Sequence, residues 1–266
     1  MTKKHNNLLE NTKNRIWELD FIRGVAVVLM IFDHLMYDLG CIFYDFWQIQ
    51  NATHPLAKIA ATAYNYRFSI ASYFFRIFLI AGIFLFVSGI CAHLSRNNYK
   101  RGFRLLIIAI ALSMVSWLFS IIMNNSGFII YFGILHCLSA AMLLTEPIKK
   151  IPKPIVFLAA LMILAVGFYL DSNKINAHYL LIPFNITPEH FVTADYYPLF
   201  PFLAFYLLGY LFGGRLYRTK QSHFQKERNI PPFNHLGRNA LLYYFLHQIV
   251  IIVLLYLAGF FFFGTF

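Results

Sequence analysis

The sequence predicts an all-α protein, a polytopic transmembrane helix bundle of about seven spans with the N-terminus inside and the C-terminus outside. Three observations predict it: apolar runs of spanning length, basic residues gathered in alternate loops, and no two-residue alternation of the kind a membrane β-barrel shows. The chain has 266 residues, of which 59% are hydrophobic and only 12% charged, outside the usual composition of soluble domains. About 20 apolar residues cross ~30 Å of hydrocarbon as a helix. Runs of that kind lie near 19–39, 72–93, 103–123, 128–146, 154–171, 197–214 and 240–262.

The elements follow in order. Residues 1–18 form a basic segment with Lys3, Lys4, Lys13 and Arg15, placed in the cytoplasm, and 19–266 form a single transmembrane domain. The first run follows this basic start as a signal peptide would, yet it holds Arg23 and Asp33 and lacks a small-residue cleavage site, so it is expected to stay as a span. Arg96, Lys100, Arg101 and Arg104 follow the second run, Lys149, Lys150 and Lys153 the fourth, and Arg215, Arg218, Lys220, Lys226, Arg228 and Arg238 the sixth. The other loops hold only Lys58, Arg67, Arg76 and Lys174. Seven crossings with the N-terminus inside place nearly all basic charge on the cytoplasmic face. The same asymmetry accounts for the net charge of +11 without nucleic acid. Those residues either serve topology and anionic lipid alone, or some of them grip the phosphates of a cytosolic ligand.

Two outer segments, roughly 40–71 and 172–196, exceed simple turns and are rich in Tyr, Asn, His and Pro. They are candidates for an acceptor-binding surface or for amphipathic caps at the interface. Cys41, Cys91 and Cys137 are odd in number and widely spaced, which suits packing better than a disulfide framework or a zinc site.

Ionisable residues inside hydrocarbon cost ~2.5 to 3.5 kcal/mol each on insertion scales and are the first place to look for function. In LDFIRGVAVVLMIFDHLMYDLG, Arg23 and His34 are eleven residues apart. At ~100° per residue that returns to within ~20° of one helix face, ~16 Å along the axis. Asp38 continues the stripe. Arg23 is either an interfacial anchor paired with Asp20 or part of a polar path. His34, flanked by Asp33 and within reach of Asp38, is a candidate proton acceptor whose ring a carboxylate would orient, or else a structural histidine. His136 and His247 fall near the midplane of two other spans, His247 nine residues from Arg238. Three histidines on three spans point to a shared polar cavity. Metal is not expected, because no HxxxH spacing occurs, and there is no GxSxG elbow, Walker loop or dinucleotide fingerprint.

The blocks RIWELDFIRGVAVVLMIFDHLMYDLG, IFLFVSGICAHLSRNNYKRGFRLL, YFGILHCLSAAMLL, DYYPLFPFLAFYLLGYLFGG and LGRNALLYYFLHQIVIIVLLYL resemble, in this order, bacterial members of the heparan-alpha-glucosaminide N-acetyltransferase catalytic-domain family. The LDxxRG start followed by a histidine also resembles the first helix of the integral-membrane polysaccharide O-acyltransferases. The resemblance implies a multi-pass plasma-membrane acyltransferase of a bacterium that moves acetyl from cytosolic acetyl-CoA to an amine or hydroxyl of an extracytoplasmic glycan or glycolipid. It implies His34 as catalytic histidine and Arg23 as its partner arginine, with Asp33 or Asp38 supporting the imidazolium. The animal lysosomal enzymes carry their active histidine at a different offset, so the assignment to His34 follows the bacterial pattern. Arg101, Arg104 and Arg238 at the inner mouth are candidates for the CoA phosphates, with His136 and His247 completing the donor-binding set. The expected partners are membrane lipids, acetyl-CoA and the glycan acceptor; a homo-oligomer is compatible with the sequence. The rival function is a transporter that passes a small solute or lipid headgroup without chemistry, and the lack of an internal repeat weighs against it.

Overall fold

The computed structural model describes residues 16–45, 47, 53–173, 175–222, 224 and 230–263. The basic segment expected at 1–18 therefore lies largely outside the described residues, as do Lys174, Lys226 and Arg228. Among the described residues the chain is helical, with two isolated bridges and no strand. Among the described residues six helices are long and apolar enough to cross a membrane: α1 Trp17–Ile42, α3 Ile70–Leu94, α4 Asn98–Ile122, α6 Lys153–Ser172, α7 Leu199–Leu216 and α9 Ala240–Phe263. Three shorter helices complete the order: α2 Pro55–Arg67, α5 Ile134–Ile148 and α8 Pro231–Arg238. The protein is thus a multi-pass membrane protein.

Contacts divide the chain into two compact units, Met1–Phe84 with Gln221–Phe266, and Leu85–Lys220, the division falling inside α3. In the first unit α1 is met by α8 and α9 on one side and by α2 on another. Glu18 and Asp20 in the first turn of α1 suit the positive end of its dipole. A side chain at Gly24 would collide with the Phe233 carbonyl, and one at Gly237 with the Asp20 carbonyl, so the two glycines let the backbones of α1 and α8 touch. His54 caps α2 by accepting from the Leu56 amide, with Pro55 pre-set in the first turn. The face Ala57, Ala60 and Ala63 of α2 is buried with Leu39, Phe43, Trp47, Ile251 and Leu255. Its small side chains bring α2 against α1 at Gly40, where a methyl group would meet the Tyr64 amide. Two stretches here are π-helical, Asp38–Ile42 in α1 and Phe75–Gly82 in α3.

Contacts of α1, and of Trp47 just after it, with the C-terminal helices ascend together: Asp20 meets Arg238, His34 meets His247, Asp38 meets Gln248 and Trp47 meets Phe263. The first and last spans are therefore parallel. Successive crossings alternate in direction, so parallel first and last spans require an odd number. Six long helices alone would leave them antiparallel. The short apolar helix α5, which falls within the run expected at 128–146, is the candidate for the further crossing.

That crossing is helical only from Ile134, and its first residues show how the second unit manages irregular backbone. Nothing in hydrocarbon satisfies a free peptide group, so non-helical backbone must find partners within the protein. Ser113 of α4 donates to the Ile130 carbonyl at 2.6 Å, and Ser116 accepts from the Ile130 amide at 3.0 Å. The Ile129 carbonyl accepts from the Ala194 amide and the Phe132 carbonyl from the Tyr197 amide, both at 3.0 Å. Asp195 accepts from the Ile134 amide and so starts α5. The outer segment expected at 172–196 is thus folded onto 129–134. Gly89 and Gly209 let α3 and α7 meet backbone to backbone, each at the other's helix.

Candidate active site

At the start of α1 the LDxxRG motif has a physical account. Leu19 is buried, and Asp20 sits between two guanidinium groups: Arg23 donates to Oδ1 at 3.1 Å and Arg238 to Oδ2 at 3.4 Å. Arg23 also donates to the Gly237 carbonyl at 3.3 Å. Buried Glu18 accepts from Ser222 at 2.8 Å, and buried Asn234 donates to the Trp17 carbonyl at 2.8 Å. The motif therefore joins α1 to α8 through two charges on one carboxylate and a close helix crossing.

Further along the same face, the rings of His34 and His247 stand edge to face with centroids 4.5 Å apart and planes at 85°. Each ring is fixed by its own helix. Nδ1 of His34 lies 2.9 Å from the Met30 carbonyl, and Nδ1 of His247 lies 3.0 Å from the Tyr243 carbonyl. A carbonyl only accepts, so the proton is on Nδ1 in both rings, and the basic Nε2 of each is left for other work. Nε2 of His247 is buried with no hydrogen-bond partner among the described residues. Beside the pair, fully buried Asp38 accepts from the Gln248 amide through both oxygens at 3.0 Å.

Here the structure differs from the expectation that Asp33 or Asp38 orients His34. The Met30 carbonyl one turn earlier fixes the ring, because an i−4 carbonyl is always within reach of a helical side chain that folds back toward the N-terminus. Asp38 is committed to Gln248. Both carboxylates remain within electrostatic reach of His34.

A second polar stripe runs up α1 at Asp33, Tyr37 and Cys41, toward α2. Arg67, the last residue of α2, lies over the Tyr37 ring at 5.0 Å and reaches the Cys41 side chain and the charge of Asp33. Fully buried Ser72 donates to the Arg67 carbonyl at 3.3 Å. Asp33 is 7% exposed and its Oδ1 has no hydrogen-bond partner among the described residues; the same holds for Nη1 of Arg67. Tyr66 of α2 stands beside this stripe, and its own burial, with the Asp33 charge as a lesser cause, holds its phenol above the usual value.

In the second unit His136 has a different job. Its Nδ1 accepts from the Gly133 amide at 3.3 Å, closing the first turn of α5, while Nε2 lies 3.4 Å from Ser113 Oγ. Both ring nitrogens are thus engaged. Buried Asn98 at the start of α4 donates to the Ala92 carbonyl at 2.9 Å and to Glu146 at 3.4 Å, and Lys149 pairs with Glu146 at 2.7 Å. Arg101 and Arg104 are exposed on α4.

Of the residues expected from sequence, Arg23 with Arg238, and His34 with His247, come together within the first unit. Arg101, Arg104 and His136 belong to the second. Sequence reasoning missed Gln248 and Arg67. Arg67 carried a signal, as one of four basic residues in the loops expected to lie outside. Gln248 carried only its place next to His247.

The family model described as heparan-alpha-glucosaminide N-acetyltransferase, catalytic, matches residues 15–249. No curated protein and no solved structure matches the chain.

Proposed function

Because the chain belongs to the heparan-alpha-glucosaminide N-acetyltransferase catalytic family, we propose that it transfers acetyl from cytosolic acetyl-CoA to an amine or hydroxyl of an extracytoplasmic glycan or glycolipid. Membership makes it a membrane protein of acetyltransferase type. The donor, the acceptor and the bacterial plasma membrane as its home are the finer parts of the proposal. So is the orientation, N-terminus in the cytosol and C-terminus outside, which the basic loops support.

The observation that carries the chemistry is the His34–His247 pair, each ring holding its proton on Nδ1 and presenting Nε2. In the proposed step His34 Nε2 takes the proton of the acceptor hydroxyl or amine as that group attacks the thioester carbon. The carbon–sulfur bond breaks, and the CoA thiolate leaves with the proton that the imidazolium returns. In the variant with two half-reactions, Nε2 itself attacks and an acetyl-imidazole is resolved by the acceptor. Asp33 and Asp38 stand within electrostatic reach of the His34 ring. Arg23 is assigned the base of the path, where it ties α1 to α8. Arg101, Arg104 and Arg238 are exposed basic groups on the face assigned to the cytosol, suited to phosphate through paired N–H donors. His247 lines the reacting end, whereas His136 is committed to the start of α5.

Mass spectrometry of surface glycans from cells with and without the protein tests this. Acetylated sugars that disappear with the gene and return with the wild type, but not with His34→Ala, support the proposal. An identical acetylation pattern in all three overturns it.

A further inference from the structure

Asp33 and Arg67 present a pair of unsatisfied hydrogen-bonding groups that the transfer step leaves unexplained. A buried carboxylate oxygen without a donor and a buried guanidinium N–H without an acceptor are each costly, the more so because both groups carry charge. They stand within electrostatic reach of one another, yet they are not among each other's hydrogen bonds. A group placed between them that offers both a hydrogen and a lone pair satisfies both. A simple anion suits Arg67 but is repelled by Asp33, and a simple cation meets the reverse. A neutral hydroxyl answers both requirements.

The surroundings narrow the ligand further. Tyr37 lies beneath the guanidinium, and Phe32, Tyr66 and Phe75 form an edge-to-face cluster on the adjoining side of α1, with centroids 6.1 to 6.5 Å apart. Carboxylate, guanidinium and aromatic edges together suit a ring that carries several hydroxyls and has an apolar face. Two π-helical stretches border the place, one beginning at Asp38 and one at Phe75, and such stretches are frequent at functional sites. Arg76, in the second of them, also has a buried Nη1 without a partner among the described residues.

We propose that Asp33, Tyr37 and Arg67 form the sugar-acceptor subsite, Asp33 accepting a hydroxyl hydrogen and Arg67 donating to a neighbouring sugar oxygen. The subsite rests on the acetyl-transfer function proposed above and adds to it the place and chemistry of acceptor recognition. Asp33 and His34 are consecutive on α1, so a sugar held by the first stripe sits at the depth of the histidine of the other, on the neighbouring face ~100° around the helix. Arg67 ends a helix that packs through three alanines, and α2 is in this way the element that brings specificity to the first span.

Titration of the purified full-length protein with D-glucose and D-glucosamine, followed by saturation-transfer NMR, tests the subsite, alongside titration with acetyl-CoA. Asp33→Asn and Arg67→Gln are expected to weaken sugar binding about tenfold or more and to leave the Kd for acetyl-CoA within about twofold. Arg67→Lys, which keeps the charge without the fork, is expected to fall between. Thermal melting identifies any variant that has lost its fold, and Arg67→Lys then decides. Unchanged sugar binding in the folded variants overturns the subsite, as does a wild type with no saturable binding of either sugar. Acetyl transfer with an unaltered acceptor KM in the variants sinks the subsite and leaves the function standing. Sugar binding that depends on Asp33 and Arg67 without any acetyl transfer does the opposite.

Discussion

Arg23 and His34 share the face of α1 that meets α8 and α9, but their partners give them different work. Arg23 is tied to Asp20 and the Gly237 carbonyl, whereas the bonded nitrogen of His34 faces its own helix and its other nitrogen is left basic. Loss of the imidazole should therefore act on chemistry. His34→Ala is expected to lower kcat by about 10² to 10⁴ while the Kd for acetyl-CoA holds, as measured by turnover and direct binding. An equal loss from disrupted folding would show as a fall in melting temperature. His247→Phe keeps an edge-on ring and removes Nε2; turnover reduced about tenfold or more with unchanged melting assigns the nitrogen to the reaction, and full turnover reduces His247 to packing. The common face was legible in the spacing of eleven. The carbonyl that fixes each ring was not, because every helical histidine has one and only a three-dimensional partner shows which nitrogen is left over.

Elements explain why small residues recur where helices cross. Gly24 and Gly237 put α1 and α8 in backbone contact, and a methyl group at Gly24 would meet the Phe233 backbone carbonyl, which no side-chain rotation can move aside. Gly24→Ala is expected to cost about 1–3 kcal/mol through overpacking, seen as a lower melting temperature in detergent. The start of α5 is a second case. His136 satisfies the Gly133 amide and contacts Ser113, so His136→Ala should cost about 1–2 kcal/mol and leave the KM for acetyl-CoA in place. A raised KM with unaltered melting would return His136 to the donor site. Helix α5 also marks a limit of sequence reasoning: the apolar run from 128 gave the crossing but not its non-helical first residues, which depend on Ser113, Ser116 and the segment 193–197 far along the chain. Helix α8 was hidden in a basic stretch that composition alone assigns to a loop, although Pro231 and Pro232 mark its start.

For the whole molecule, two features favour about seven crossings, one more than the six long apolar helices among the described residues. Basic residues fall in alternate loops, and α1 and α9 run parallel, which only an odd number allows. In a cysteine-free background in intact cells, Glu189→Cys should react with an impermeant maleimide and Lys150→Cys should not. The reverse pattern inverts the proposed orientation without altering the fold. Membership of the acetyltransferase family, legible in five sequence blocks, gives these crossings a chemical setting, and the proposed function, with donor and acceptor on opposite faces, requires a polar path through them. In the proposed transfer, acetyl follows this path by way of His34. This route is tested most directly in proteoliposomes with acetyl-labelled CoA on the face of the basic loops and a sugar acceptor on the other. Labelled acceptor formed by the wild type, and lost with His34→Ala, is the predicted result; equal labelling by the two proteins would contradict it.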